Sequence, residues 1–241
     1  MIVLGLDSTA KVAAAGVYDG ARVLAERRVE STLTQSELLL PLARAALADA
    51  GLSFEDVELY ALTLGPGSFT GVRIGVGLVK GLVFDKETPC AGVSILEALA
   101  ENLAPFEGIC APVLDARRDH VYNALFKWES GRLCRLCEDR VLPLDALMEE
   151  LARDYAGLAV LFVGDGYDKA VLRAERASLP VTDVVPDKRL PSGAAIARLG
   201  YAAHLRGESV SGEALAPVYL RLPQAERERL ERENKKTEDN G

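Results

Sequence analysis

The sequence predicts an α/β protein made of two similar lobes. Two observations carry this prediction: one order of elements occurs twice, and an aspartate, Asp7 or Asp115, follows the first strand of each half. In both halves a hairpin, a helix, a strand, a glycine-rich turn and another helix come next. The pattern favours two duplicated ribonuclease-H-like lobes that face each other. A single doubly wound sheet is the alternative, and it fits the antiparallel hairpins poorly.

The composition is typical of a globular protein with a sizeable core. The chain has 241 residues, of which 49% are hydrophobic and 27% charged, and this length suits one large domain or two lobes of about 100 residues. No apolar run reaches the ~20 residues that a membrane span needs, and the first residues lack the basic start of a signal peptide. We therefore expect a cytoplasmic protein with no membrane partner.

The net charge of −8 bears on the choice of partners. Strong binding to nucleic acid needs a concentrated basic surface, so a stand-alone RNA-binding module is disfavoured. A position beside RNA within a complex is left open.

The first lobe is predicted to span residues 1–105. Asp19-Gly20 is a hairpin signal, and Thr34 with Glu37 forms a capping box that begins a helix. Gly51 ends that helix, and Pro41 is expected to kink it or to disturb its first turn. The predicted strands are Ile2–Leu6, Val12–Tyr18, Arg22–Val29, Leu59–Leu64 and Pro89–Val93, and the predicted helices are Thr34–Ala50, a glycine-rich helix ending near Phe84, and Ser94–Leu103.

The glycine-rich helix is the most informative element of this lobe. It follows Gly65-Pro66-Gly67 and contains Gly71, Gly75, Gly77 and Gly81, which together cost about 4 kcal/mol relative to alanine. Within each pair the two glycines are four residues apart and share a face, where a bare backbone allows close approach. We expect the helix to cover its own sheet on one side and a partner on the other; packing onto the sheet alone is the alternative.

The second lobe is predicted to span residues 106–210 and to repeat this order. Its hairpin turns at Ser130-Gly131, and Gly164-Asp165-Gly166 takes the place of the first glycine turn. Residues 211–225 are expected to return to the first lobe, and the charged residues 226–241 to form a disordered tail. The predicted strands are Ile109–Leu114, Val121–Trp128, Leu133–Val141, Leu158–Val163 and Val181–Val185, and the predicted helices are Leu144–Tyr155, one after Gly166, and Ser192–Arg206.

Cys134 and Cys137 form a CxxC pair, a spacing found in zinc and redox sites. The sequence has no second CxxC, its only histidines are His120 and His204, and residues three apart on a strand point to opposite faces. We therefore expect ordinary buried or edge cysteines and no metal.

Three residues are weak candidates for contact with a nucleotide. Asp7 either positions a metal-bound phosphate or caps the residues that follow it, and the cap is favoured. Gly65 and Gly67 flank a turn that matches neither of the common phosphate-loop patterns.

A charged run at residues 115–119 suits acid–base or phosphate chemistry, but a charged hairpin entry has the same composition. Lys11, Arg73 and Arg117 are able to touch phosphate, although scattered cations are usually solvated.

Several segments resemble one family. Two lobes that each open with a strand, an aspartate and a hairpin are similar to the superfamily of actin, Hsp70 and sugar kinases. Within it, the chain resembles the TsaB (YeaZ) family, bacterial proteins of tRNA threonylcarbamoyladenosine synthesis, and the long glycine segment is the specific part of the match. The matching segments are Leu6–Thr9, Ser36–Pro41, Gly65–Gly75, Gly92–Ser94, Leu114–Arg118 and Pro217–Arg221.

The resemblance implies a protein that is not itself an enzyme. The family is similar to TsaD, the catalytic paralogue, in which two histidines four residues apart on a helix hold a metal. The matching positions here are Ile95 and Leu99, which cannot bind a metal. The sequence also departs from the usual pattern of the TsaB family at Gln35, where that family commonly has a histidine.

The resemblance further implies a scaffold that activates a TsaD-like transferase, which modifies the adenosine next to the anticodon of ANN-decoding tRNAs. We expect a homodimer when the chain is alone, a heterodimer with the transferase, a TsaE-like ATPase that joins, and tRNA bound only through the complex. No cofactor is expected, and a weakly bound ATP or ADP at a subunit interface is left open. The implied interface residues are Leu38, Leu42, Gly71, Val72, Gly75, Leu78, Val79 and Leu82.

The alternative function is a stand-alone phosphotransferase of the sugar-kinase type. It would use Asp7 and Asp115 across the cleft between the lobes. Tight binding of a magnesium nucleotide, lost in Asp7→Ala, distinguishes it from the scaffold.

Overall fold

The computed structural model describes residues 1–30, 34–103 and 105–221. The predicted tail at residues 226–241 and the end of the return segment lie outside the described residues. The first half of the chain contains β1 (Val3–Asp7), β2 (Val12–Tyr18), β3 (Val23–Glu30), α1 (Gln35–Asp49), β4 (Leu59–Gly65), α2 (Phe69–Leu82), β5 (Cys90–Ser94) and α3 (Ile95–Glu101). None of the described helices combines the length and the apolar run that crossing a membrane requires.

The second half repeats this order, with its hairpin divided into four strands. It contains β6 (Ile109–Asp115), β7 (His120–Asn123), β8 (Phe126–Glu129), β9 (Arg132–Arg135), β10 (Arg140–Pro143), α4 (Leu144–Asp154), β11 (Val160–Val163), α5 (Tyr167–Arg176) and α6 (Gly193–Leu205).

Each half forms a mixed sheet that begins with an antiparallel hairpin. In the first sheet the order is β3-β2-β1-β4-β5, with β1 antiparallel to β2 and parallel to β4. In the second sheet β6 is antiparallel to β7 and parallel to β11. The shared order confirms the predicted α/β class with two ribonuclease-H-like lobes.

The last helix corrects the predicted domain boundary. The sequence predicts that residues 106–210 form the second lobe, yet α6 packs on the face of the first sheet opposite α1 and α2, with Ile196 and Ala197 in one cluster with Val3 and Leu59. Glycines allow this packing, since a Cβ on Gly5 would lie 2.2 Å from the carbonyl oxygen of Gly193. Conversely, α3 belongs to the first half of the chain but packs on the second sheet, where Ile95 and Leu99 lie in one cluster with Leu114 and Phe126. Each half therefore covers one face of the other half's sheet.

The predicted hairpin of two long strands is interrupted at residues 124 and 125. β7 and β8 keep one register along β6, so they are two parts of one strand. The break lies next to Pro112, which has no N–H to continue the ladder. The side-chain amide of Asn123 instead donates to the carbonyls of Pro112 (2.9 Å) and Ala124 (3.0 Å).

The strand predicted at Val181–Val185 is also wrong. Only a single bridge joins Val181 to Val160. The carboxylate of Asp183 accepts a hydrogen bond from the N–H of Val184 at 2.9 Å, which removes that N–H from any ladder.

Candidate functional site

An open cleft of about 650 Å³ lies between the two lobes. It is formed by the loops after β1, β4, β6 and β11, together with the return segment at residues 211–221. Both lobes contribute polar side chains to its wall. The lining residues are Thr9, Ala10, Lys11, Gly67, Ser68, Phe69, Thr70, Arg73, Leu114, Asp115, Ala116, Arg117, Tyr122, Asp165 and Arg221.

Asp7 lies beneath this cleft and does not line it. Its Oδ1 accepts hydrogen bonds from the hydroxyl (2.7 Å) and N–H (3.1 Å) of Thr9 and from the hydroxyl of Thr63. The carboxylate is 1% exposed. Burial raises the pKa of Asp7, although the hydrogen bonds from Thr63 and Thr9 oppose that rise. Asp7 therefore caps the residues that follow it, which is the interpretation that the sequence favoured over a phosphate-positioning role.

The glycine turn after β4 makes room for the protein's own backbone. A Cβ on Gly65 would lie 2.6 Å from the carbonyl oxygen of Val218, and one on Gly67 would lie 2.9 Å from that of Thr9. The N–H of Ser68 donates to the same Thr9 carbonyl at 3.0 Å. Of the two glycines, Gly67 lines the cleft.

The loop after β1 is held in place from two sides. The side-chain amide of Gln35 donates to the carbonyls of Ala10 at 3.0 Å and Lys11 at 3.3 Å. The hydroxyl of Ser8 donates to the carbonyl of Gly71 at 2.9 Å. Gln35 therefore fixes the loop that presents Lys11 to the cleft.

Two carboxylates of the second lobe reach the cleft. Asp115 accepts a hydrogen bond from Lys169 Nζ at 2.9 Å. Burial acts to raise the pKa of Asp115, but the hydrogen bonds from Lys169 and from the N–H of Arg117 outweigh it and hold that pKa below its ordinary value. Asp165 accepts from the N–H of Asp115 at 2.8 Å, and burial raises the pKa of Asp165.

Four cations meet in the cleft, where the sequence suggested scattered ones. Lys11 and Arg73 come from the first lobe, Arg117 from the second, and Arg221 from the return segment. Arg221 donates to the carbonyl of Ala116 at 2.8 Å, so the return segment is bonded to the second lobe. The sequence did not single out this arginine as a cleft residue, since nothing local marks where the return segment ends.

An aromatic stack anchors the return segment on the first lobe. The rings of Phe69 and Tyr219 lie parallel, with centroids 4.2 Å apart. Arg73 donates from Nε to the Tyr219 hydroxyl at 2.9 Å. The N–H of Val218 also donates to the carbonyl of Leu64 at 2.8 Å. The stack and these bonds place the guanidinium of Arg73 at the cleft edge.

The turn after β6 is strained. Arg117, Arg118 and Asp119 all have positive φ, at 64°, 51° and 56°, a conformation that costs side-chain-bearing residues about 1 kcal/mol or more each. The N–H of His120 closes the turn by donating to the carbonyl of Arg117 at 3.1 Å.

The predicted interface is corrected at five of its eight positions. A Cβ on Gly71 would lie 1.9 Å from the Ser8 carbonyl oxygen, and one on Gly75 would lie 2.7 Å from Ser8 Oγ. Gly71 and Gly75 therefore pack against Ser8 of their own lobe, and this contact leaves no room for a partner protein. Leu42, Gly71, Val72, Gly75 and Val79 are buried in that lobe, whereas Leu38, Leu78 and Leu82 are half-buried.

The other glycine pair lies on an open face of α2. Apart from the chain neighbours and the backbone of α2 itself, no described atom lies within 4 Å of a Cβ built on Gly77 or Gly81. Phe84, just beyond the helix, is 82% exposed. We call Thr70, Arg73, Gly77, Gly81 and Phe84 the open face of α2; all but the terminal Phe84 lie on the helix, and all five are exposed.

Ile95 and Leu99, which the resemblance to TsaD matches with its histidines, do not fit a metal. Ile95 and Leu99 are both 0% exposed and pack against Phe126 and Leu114 on the second sheet. In the described part of the chain, no three His, Cys, Asp or Glu side chains are grouped to hold an ion. Of the CxxC pair, Cys137 accepts a hydrogen bond from the N–H of Leu125 at 3.2 Å.

A family model and curated relatives match most of the chain. The model described as TsaD, tRNA N6-adenosine threonylcarbamoyltransferase, matches residues 31–228. The tRNA threonylcarbamoyladenosine biosynthesis protein TsaB of Bacillus subtilis strain 168 is 30% identical over 96% of this chain and 99% of that protein. The TsaB protein of Escherichia coli K12 is 26% identical over 92% and 95%, respectively.

Solved structures agree with these matches. A crystal structure of a Pseudomonas aeruginosa protein, described by its similarity to the peptidase YEAZ, superposes with a TM-score of 0.78. It is 29% identical and covers 91% of this chain and 99% of its own. A component of (R)-2-hydroxyglutaryl-CoA dehydratase from Acidaminococcus fermentans has a TM-score of 0.50 at 10% identity over 85% of this chain and 99% of its own. It shows the shared fold alone.

Proposed function

Since this chain belongs to the TsaB family, we propose that it is a non-catalytic scaffold that pairs with a TsaD-like transferase. Family membership gives the chain a role in tRNA threonylcarbamoyladenosine biosynthesis. The scaffold role and the pairing are the parts that we add.

The observation that carries the proposal is the burial of Ile95 and Leu99 in the core. The resemblance to TsaD places these two residues at the positions of its metal-binding histidines. Aliphatic side chains cannot ligate a metal, and their burial makes them part of the packing between α3 and the second sheet. A chain built in this way supports the transfer reaction through a partner.

A second observation supports the proposal over a stand-alone phosphotransferase. Such an enzyme would use Asp7 in the cleft, and here Asp7 is buried and hydrogen-bonded to Thr9 and Thr63. Its Oδ1 is engaged within the first lobe. The carboxylate is therefore poorly placed to meet a phosphate.

The open face of α2 supports the position of the partner. The neighbouring helix α1, which contacts α2, has an exposed row of its own at Glu37, Pro41, Arg44 and Ala48. The row repeats at intervals of three and four residues and so follows one face of α1. A specific interface of this kind buries roughly 1,200–2,000 Å² in total.

The proposal is tested by mixing the purified chain with a TsaD-like protein and following the species by native mass spectrometry. We expect a heterodimer to replace the homodimer, and threonylcarbamoyl transfer to tRNA to require both proteins. Transfer by this chain alone, or unchanged homodimer in the mixture, would overturn the proposal.

A matched pair of variants locates the partner. Phe84→Ser removes an 82% exposed ring from the open face, and Leu172→Ser removes a 52% exposed side chain from α5 in the second lobe. Since both side chains are exposed, neither change should unfold the chain. We expect only Phe84→Ser to weaken the heterodimer; equal weakening by both would place the partner elsewhere.

A further inference from the structure

Within the described residues, the chain passes between the two lobes at two junctions. β5 of the first sheet leads directly into α3, which packs on the second sheet, at Ser94 and Ile95. Residues 190–192 lead from the second lobe into α6, which packs on the first sheet. Lobes joined in this way move relative to each other unless further contacts hold them. The return segment supplies a further contact, and it lies at the cleft.

The return segment is fastened to the first lobe along the length of α2. Near the end of this helix, Lys80 Nζ donates to the carbonyl of Glu213 at 3.0 Å. Leu215 is 1% exposed and packs in the core of the first lobe. Tyr219 reaches the start of the helix, where its ring stacks on Phe69 with centroids 4.2 Å apart. Up to Tyr219, the segment is therefore part of the first lobe.

Two residues later, Arg221 fastens the segment to the second lobe. Its guanidinium is half-buried and donates to the carbonyl of Ala116 at 2.8 Å. The turn that carries this carbonyl is itself held by hydrogen bonds, from the N–H of Ala116 to the carbonyl of His120 at 3.0 Å and from the N–H of Leu144 to that of Asp119 at 2.8 Å. Arg221 therefore joins the first lobe to an ordered part of the second.

The end of the return segment also fills the space between the lobes. Tyr122 of the second lobe, Phe69 of the first and Leu220 of the return segment line a gap of only about 10 Å³. A space of that size holds one water molecule at most. Movement of one lobe against the other would have to open this packed gap and break the hydrogen bond of Arg221.

We infer that the return segment is a strap that holds the two lobes at one separation and so sets the opening of the cleft. Tyr219 fastens the strap to the first lobe, and Arg221 fastens it to the second. A hydrogen bond from a charged donor in a partly buried position favours the fastened form by about tenfold or more. This inference goes beyond the proposed scaffold role and does not depend on it, because it is tested on the chain without a transferase.

The experiment measures the distance between two spin labels, one on each lobe, by double electron–electron resonance. The labels are attached at Ala48→Cys on α1 and Ala152→Cys on α4, which are both exposed positions. The half-buried Cys134 and Cys137 are replaced by serine, and the other two cysteines are buried. The labelled full chain is mixed with an excess of unlabelled chain, so that only distances within one protomer are measured. We expect one narrow distribution; a broad or two-peaked distribution would overturn the inference.

Two arginines provide a matched pair of variants. Arg221→Ala removes the fastening to the second lobe, whereas Arg206→Ala removes an exposed arginine that donates only to Glu208, at 2.7 Å. We expect Arg221→Ala to broaden the distance distribution at least about twofold, because released lobes populate several separations. Arg206→Ala should leave the distribution unchanged. Unchanged width in Arg221→Ala, or equal broadening by both variants, would contradict the strap.

A variant at the other fastening distinguishes a strap from a local contact. Tyr219→Ala removes the stack on Phe69 and should broaden the distribution as Arg221→Ala does. A strap released at one end no longer holds the lobes, so the double variant should be no broader than either single variant. Additive broadening in the double variant would mean that the two residues act independently, and it would overturn the inference.

Discussion

The two glycine pairs of α2 have the same spacing and opposite environments. Gly71 and Gly75 face the loop after β1, where a side chain would collide with Ser8. Gly77 and Gly81 face open space within the described chain. The same spacing therefore has two consequences. Gly71 and Gly75 allow α2 to pack against the loop after β1 within the lobe. Gly77 and Gly81 leave an exposed surface without side chains, and no contact within the described chain offsets the lower helix propensity of these two glycines.

The largest effect is expected for Gly71→Ala. Its Cβ would lie 1.9 Å from the backbone carbonyl oxygen of Ser8, and backbone cannot move aside as a side chain can. We expect a loss of about 2–3 kcal/mol or more in the free energy of unfolding, measured by urea denaturation monitored by circular dichroism. Wild-type stability in this variant would show that the loop after β1 adapts freely.

Gly75→Ala should have a smaller effect that depends on Ser8. Its Cβ would meet the Ser8 hydroxyl at 2.7 Å, a group that donates to Gly71 O. We expect a cost of about 1 kcal/mol, the value of one hydrogen bond. In a Ser8→Ala background the substitution should become neutral or stabilising, because the obstructing oxygen is gone. Additive costs in the double variant would contradict this contact.

The smallest effect is expected on the open face and has the opposite sign. Gly77→Ala and Gly81→Ala meet no described atom within 4 Å, so each should stabilise the isolated chain by about 0.5–1 kcal/mol through helix propensity. The measurement is the thermal unfolding of Gly77→Ala and Gly81→Ala next to that of Gly71→Ala, which compares the stability change at the two glycine pairs. The scan is made at a concentration at which the chain is monomeric, and destabilisation there would mean that this face is covered within a single protomer.

The fold was predictable because its order of elements repeats along the chain. The exchange of α3 and α6 between lobes was not, since an apolar helix face shows only that it is buried and does not identify the sheet that covers it. Pro112 explains the broken hairpin after the fact, but a proline near the middle of a strand does not by itself reveal which partner residue loses its hydrogen bond.

The candidate site was predictable only in part. Lys11, Arg73 and Arg117 were visible one by one, whereas their convergence with Arg221 depends on contacts across more than 100 residues of sequence. The resemblance to the TsaB family places the interface on the stripe that contains Gly71 and Gly75, and their spacing equals that of Gly77 and Gly81. Only the tertiary contact with Ser8 distinguishes the two pairs.

The central claim is that the open face of α2 receives a TsaD-like partner, and the dissociation constant of that heterodimer tests it. Gly77→Arg places a long side chain on the open face, and Ala152→Arg places the same side chain at an exposed position on α4. We predict that Gly77→Arg raises the dissociation constant at least about tenfold, equivalent to about 1.4 kcal/mol, while Ala152→Arg leaves it within about twofold. Unchanged affinity of a folded Gly77→Arg protein would contradict the account.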